Sequence, residues 1–133
     1  AVIRVVDGWD RRGAPPESVL ESRLARLLRR CGLPRPESQY RVVRGGRVVA
    51  RLDFAYPDEM VAIEADGYRW HGDVARWQAD LARRNELARL GWTVLHFTWH
   101  DVTKRRENVL ATVRAALEPR SQNPEKRDWA TVT

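Results

Sequence analysis

Between Arg51 and His71 the chain sets carboxylates on apolar ground. Asp53 falls at the end of one apolar stretch, and Glu64 and Asp66 at the end of the next, with Phe54, Val61 and Ile63 between them. Glu64 and Asp66 are two apart, so on a strand both side chains leave the same face. Asp53 meets them if its strand pairs beside theirs, which the short Pro57-Asp58 turn permits. Three crowded carboxylates repel one another unless a cation neutralises them. Hard oxygen ligands favour Mg²⁺ or Mn²⁺ over zinc. The same acids also read as strand-end residues, solvated or paired with arginine, and Asp66 before Gly67 suits a turn.

Other reactive side chains divide less cleanly. His71 serves as a base, a phosphate contact or a histidine packed beside Trp70. Asp80 and Arg84 are spaced as an i,i+4 helix pair. His96 and His100 would need a helix to share a metal, and their region reads as strand then turn. Trp77 and Trp92 sit at apolar positions that suit a core, whereas Trp70 and Trp99 fall near strand ends, where a ring can stack on a base. Cys31 is the lone cysteine, so it has no partner for a disulfide or a zinc site, and it suits a small buried apolar role in a reducing, cytoplasmic setting.

These residues need a scaffold. Ser18-Val-Leu-Glu21 has the form of a capping box, with Ser18 as N-cap and Glu21 reaching back. Leu20, Leu24, Leu27, Leu28 and Cys31 then follow at helical spacing, with Arg23, Arg26, Arg29 and Arg30 on the other face. Tyr40–Arg44 and Arg47–Tyr56 flank Gly45-Gly46 as a hairpin, and Met60–Asp66 reads as a third strand. A long helix runs from Asp73 to Leu90 on Val74, Trp77, Leu81 and Leu87. Trp92–Thr98 is a buried strand, and Val102–Leu117 a last helix on Val109, Leu110, Val113 and Leu117. The order helix–three strands–helix–strand–helix predicts an α/β domain with a mixed sheet, the fourth strand returning parallel by a crossover. Residues 18–117 form that domain, 1–17 a linker or edge segment, and 118–133 a loose C-terminal tail.

At 133 residues, with 43% hydrophobic and 32% charged residues, the chain suits one globular domain rather than a disordered segment. No apolar run approaches the roughly 20 residues a membrane helix needs. The N-terminus lacks the order of a signal peptide, and Ala1 in place of Met suits a piece of a longer protein. The net charge of +6 and pI of about 10.4 mark a candidate for polyanion binding. Lys104 and Lys126 are the sole lysines. The arginine bias suits phosphate contacts, although a GC-rich genome favours the same residue.

Taken in order, Ser18-Val-Leu-Glu21, Gly32-Leu-Pro34, Leu52-Asp-Phe54 with Pro57, Ile63-Glu-Ala-Asp-Gly67 through His71, Asp80 with Arg84, Gly91-Trp-Thr-Val-Leu95 and Phe97-Thr-Trp99 carry a resemblance. The chain resembles the very-short-patch-repair endonuclease-like group of the PD-(D/E)xK nuclease superfamily, and in particular a bacterial domain family of that group without an assigned function. The resemblance implies the restriction-endonuclease-like core and metal-assisted phosphodiester hydrolysis. It implies Asp53 as central metal ligand, Glu64 as second acid with a neighbouring backbone carbonyl, and Glu21 as a first-helix acid near the metal. It places His71 as a base or phosphate contact and Asp80 and Arg84 in support. The superfamily expects lysine where Asp66 stands; as a catalytic residue Asp66 suits binding metal or orienting water, but it supplies no positive charge. Arg84, Lys104, Arg105, Arg106 and Trp70 are the candidate contacts to DNA, double- or single-stranded, and the first-helix arginines with Lys104-Arg-Arg106 would hold its backbone without reading sequence.

Three functions remain open at this point. One is a Mg²⁺- or Mn²⁺-dependent DNA endonuclease of repair or nicking type. Another is a nucleic-acid-binding module on the same fold with weak or no cleavage, within a larger protein or a homodimer. A protein-interaction domain is the third.

Overall fold

In a computed structural model, which describes residues 17–66 and 73–119, the leucine spacing of the first segment becomes helix α1 (Glu17–Arg30). Leu20, Leu24 and Leu28 are buried along one side of it. Ser18 does not act as N-cap. The helix starts one residue earlier, so Ser18 is already helical and its carbonyl accepts from the Ser22 hydroxyl at 2.9 Å. An N-cap requires a non-helical residue, and the capping box expected from Ser18 and Glu21 is absent.

Strand β1 (Glu37–Arg44) starts three residues before the expected Tyr40. It turns into β2 (Arg47–Tyr56) through Gly45 and Gly46, whose φ angles of 58° and 75° are the left-handed pair that a two-residue hairpin turn demands. Met60, at φ 57°, closes the next turn with its N–H donating to the Pro57 carbonyl, and β3 (Val61–Ala65) follows. Helix α2 (Val74–Arg89), capped by the Asp73 carboxylate accepting from Arg76 N–H at 3.0 Å, leads to β4 (Thr93–Phe97). The sheet order is β1-β2-β3-β4, with two antiparallel pairs and a parallel β3–β4 pair. This is the mixed α/β sheet that the sequence predicts.

The last helix is two. Thr98 and Asp101 form a capping box that starts α3 (Trp99–Lys104), three residues before the expected Val102. Arg105, at φ −130° and ψ 41°, breaks the chain before α4 (Arg106–Leu117). No helix among the described residues is long and apolar enough to cross a membrane.

The two faces of the sheet carry separate cores. On one, Phe54, Tyr56, Val61, Ile63, Ala65 and Phe97 pack against α1, α3 and α4. On the other, Val42, Ala50, Leu52, Ala55 and Ala62 meet Leu87 and Leu90, the latter at the end of α2. The Tyr56 hydroxyl donates to the Pro34 carbonyl at 2.8 Å, and burial, with Glu59 nearby, raises its pKa to about 12. Half-buried Cys31 packs at the margin of the first core, and Trp92 meets Tyr40 beside the second.

Helix α2 departs from expectation. Trp77 is 50% and Val74 69% exposed, so neither is core, and Leu87 is its one buried residue. Counting back from Leu87 at i−3, i−4 and i−7 gives Arg84, Arg83 and Asp80, all partly buried. The stripe that α2 turns to the sheet is therefore charged, and apolar periodicity points to the wrong side of the helix.

Leu24, fully buried in the first core, is expected to cost about 2–5 kcal/mol on Leu24→Ala in urea unfolding. Exposed Val43→Ala should change stability by less than about 0.5 kcal/mol.

Candidate active site

Strands β2 and β3 pair through Tyr56–Val61, Ala55–Ala62 and Phe54–Ile63, and there the ladder ends. The next residues, Asp53 and Glu64, continue it with their side chains. Asp53 N–H donates to Glu64 Oε2 at 3.4 Å, and Ala65 N–H donates to Asp53 Oδ2 at 2.9 Å. The longer bond is weak by distance, and the shorter is of ordinary length. Two carboxylates are thus held side by side by backbone donors from each other's strands.

Strand β2 also changes its facing at this point. Leu52 packs in the second core while Phe54, two residues on, packs in the first. A regular pleat keeps residues two apart on one face, so the alternation breaks at Asp53. Across the hairpin, Gln39 stands at φ 52°, between the pairs Ser38–Phe54 and Tyr40–Leu52. Its amide donates to Glu21 Oε2 at 3.3 Å. Glu21 is thereby tied to the β1 residue alongside Asp53.

Among the described residues Glu64 is the one charged residue that is buried, at 2% exposure. Its Oε1 accepts from Arg83 Nη2 on α2. Arg83 Nη1 lies 3.8 Å from Asp80 Oδ1, and Asp80 Oδ2 lies 2.8 Å from Arg84 Nε. That last contact is close enough for an ion pair yet poorly aligned for a hydrogen bond, since Arg84 Nε has no such partner. A chain of alternating charge therefore runs Glu64–Arg83–Asp80–Arg84 along the inward face of α2. Asp80 and Arg84 form the i,i+4 pair that their spacing suggests.

His96 stands in register with Glu64 on β4. Its Nδ1 is buried without a hydrogen-bond partner among the described residues. Burial, and then the charge of Arg84, hold its pKa below the usual 6.5, against an opposite pull from Asp66, Glu64 and Asp80. The imidazole is therefore neutral at neutral pH. His96 lies on a strand and His100 on α3, so they share no helix, as expected.

Asp66 lies past the end of β3, with its N–H donating to the Phe97 carbonyl at 2.8 Å. It stands one residue beyond the strand, and its charge acts on His96 together with those of Glu64 and Asp80. Among the described residues, no three His, Cys, Asp or Glu side chains are grouped to hold a metal. The expected three-acid cluster is a two-acid pair. Two neighbouring carboxylates nevertheless fit Mg²⁺, which takes one or two carboxylates and completes its shell with water and substrate phosphate. Trp70 and His71 lie outside the described residues. Lys104, Arg105 and Arg106 are exposed around the α3–α4 break, with Arg105 4.0 Å from Asp101.

Sequence reasoning missed Arg83, and it set His96 aside. Phasing α2 on Leu87 instead of on Val74 and Trp77 finds Arg83. Pairing β3 with β4 in parallel finds His96.

The family model REase_MTES_1575, of restriction-endonuclease-like type, matches residues 21–117. Uncharacterized proteins MT2308 and Rv2248 of Mycobacterium tuberculosis, from strains CDC 1551 / Oshkosh and ATCC 25618 / H37Rv, are each 33% identical to this chain over 102 residues. The match covers 77% of this chain and 38% of each relative, so the chain spans well under half their length. No solved structure matches.

Removing Arg83 strands a buried carboxylate. Arg83→Met is expected to lower stability by about 3–5 kcal/mol, and Arg83→Met with Glu64→Gln to recover most of it in a double-mutant cycle. The lowered pKa of His96 has a defined sign. Below about pH 6.5 the unfolded chain takes up a proton that folded His96 resists, so stability falls on acidification. Urea midpoints measured between about pH 7.5 and 5.5 should show a smaller decline for His96→Gln than for the parent.

Proposed function

The chain belongs to the restriction-endonuclease-like family REase_MTES_1575, and from that premise we propose that it is a Mg²⁺- or Mn²⁺-dependent DNA endonuclease acting at Asp53 and Glu64. The observation that carries this reading is the carboxylate pair at the end of the β2–β3 ladder, one member almost wholly buried. The reading places the chain with very-short-patch-repair-like enzymes of the PD-(D/E)xK superfamily, of nicking or repair type, working in the cytoplasm on double- or single-stranded DNA.

Asp53 and Glu64 would hold the cation, with Glu21 approaching through Gln39. Bound there, Mg²⁺ or Mn²⁺ lowers the pKa of a coordinated water and neutralises charge on the scissile phosphate. Arg83 pairs with the buried Glu64 carboxylate and brings positive charge beside the acids. Asp66, where the superfamily expects lysine, brings none. Neutral His96 offers an acceptor close to Glu64, and His71 is assigned as base or phosphate contact. Trp70 is assigned to stacking on a base. Lys104, Arg105 and Arg106 are assigned to the DNA backbone, and Asp80 with Arg84 to orienting Arg83.

A specific observation favours the second reading, a binding module without efficient cleavage: the Glu64 carboxylate already has a cation in Arg83. In either case the chain acts as part of a longer protein, like the relatives it partly spans, or as a homodimer.

Plasmid nicking separates the two readings. The parent protein is expected to nick supercoiled plasmid or cut single-stranded DNA with Mg²⁺ or Mn²⁺ and not with EDTA. Asp53→Ala and Glu64→Ala should each lose more than the roughly 10–100-fold typical of an outer-shell residue. Retained DNA binding with no metal-dependent cleavage by the parent would sink the nuclease reading in favour of the module.

A further inference from the structure

On the face of the sheet away from Arg83, α1 meets the α3–α4 corner around a cleft of about 260 Å³. Arg23, Arg26, Arg30 and Arg106 line it, over Leu27 and Val102. The first three fall at i, i+3 and i+7 on α1, so they form one stripe about 10 Å long. No carboxylate is paired with any of the four among the described residues. Arg23 is held in place by Trp99, its guanidinium 5.0 Å from the ring centroid. At the far wall, Arg106 begins the 12-residue α4, whose N-cap residue makes no side-chain cap bond. The first-turn N–H groups of that helix add positive potential to the same place, offset in part by Glu107 in the same turn.

Four guanidinium groups around one cleft repel each other, and among the described residues no carboxylate forms an ion pair with them. The ligand that suits them is an anion with several charges in a row. Guanidinium forks bind phosphate oxygens bidentately. Successive phosphates of a duplex strand rise about 3.4 Å each along the helix axis and lie farther apart along the backbone, so a stripe of about 10 Å reaches two or three of them. Leu27 and Val102 offer an apolar floor for the sugars. Trp99 follows by two positions Phe97, which is in register with Ala65, so the Arg23 end of the cleft lies beside the strand end carrying Glu64.

We propose that this arginine-lined cleft is a nucleic-acid anchoring site, separate from the acid pair, that takes two or three consecutive backbone phosphates. It rests on the reading of DNA as the substrate and extends it to a defined surface. The test is fluorescence anisotropy with labelled duplex and single-stranded DNA, in EDTA, over a series of salt concentrations. Arg26→Gln, Arg30→Gln and Arg106→Gln alter exposed side chains, and thermal melts check that each variant folds. Each should weaken binding and lower the slope of log K against log salt by about 1, and the triple variant by about 3. Arg89→Gln removes the same charge from the far end of α2 and should leave the slope alone. Slopes equal to the parent's in the cleft variants, an equal fall in Arg89→Gln, or equal competition by polyglutamate would overturn the proposal. Binding is read without metal, so absent nicking with cleft-dependent binding refutes the nuclease reading alone. Intact nicking with cleft-independent binding refutes this one alone.

Discussion

A carboxylate that is almost wholly buried must find a cation, and the pairing of Glu64 with Arg83 is the constraint around which this domain is arranged. The cost of taking an ionised acid out of water is several kcal/mol unless opposite charge and hydrogen bonds replace the lost hydration. Arg83 answers that need from α2, so the helix turns a charged stripe to the sheet where an apolar one is the general rule. Leu87 and Leu90 then anchor α2 at its C-terminal end, and Val74 and Trp77 are left outside. The acid on β3 thus determines which side of α2 faces inward.

The second acid is held by a different device. Asp53 sits where the β2–β3 ladder stops and where β2 changes facing. Its carboxylate takes the Ala65 N–H that a longer ladder would have used. Backbone irregularity of this kind recurs where a strand re-aims a side chain near a functional site. The charge chain from Glu64 to Arg84 accompanies the burial of Glu64, while Asp53 stays partly exposed. His96 completes the wall on the β4 side as an uncharged neighbour.

Much of this was legible in the sequence, for identifiable reasons. Gly45-Gly46 specifies a hairpin through backbone sterics alone, and the apolar runs of β2, β3 and β4 are those of buried strands. Acids embedded in such runs stand out, so Asp53 and Glu64 were visible as a pair. Arg83 was not, because periodicity counts apolar residues, and the inward stripe of α2 is mostly charged. Asp66 looked like a third strand-face acid because nothing local shows that β3 ends at Ala65. The helix beginning at Trp99 was hidden by a polar stretch, His100-Asp101, inside an otherwise readable capping box. The Ser18 box was legible yet false, since a one-residue shift in the start of α1 disables it.

The outer edge of β1 bears on colloidal behaviour. Of the four strands, β1 and β4 have one neighbour each among the described residues, and a flat free edge is a template on which another molecule can add a strand. Strand β1 is poorly suited to that. Its register slips between Val42 and Val43, and Gln39 is left-handed. Its exposed positions include Glu37, Arg41 and Arg44. A kinked, charged border of this kind resists edge-to-edge stacking, so Val43 and Val48 can remain exposed on the hairpin with less risk of seeding aggregates.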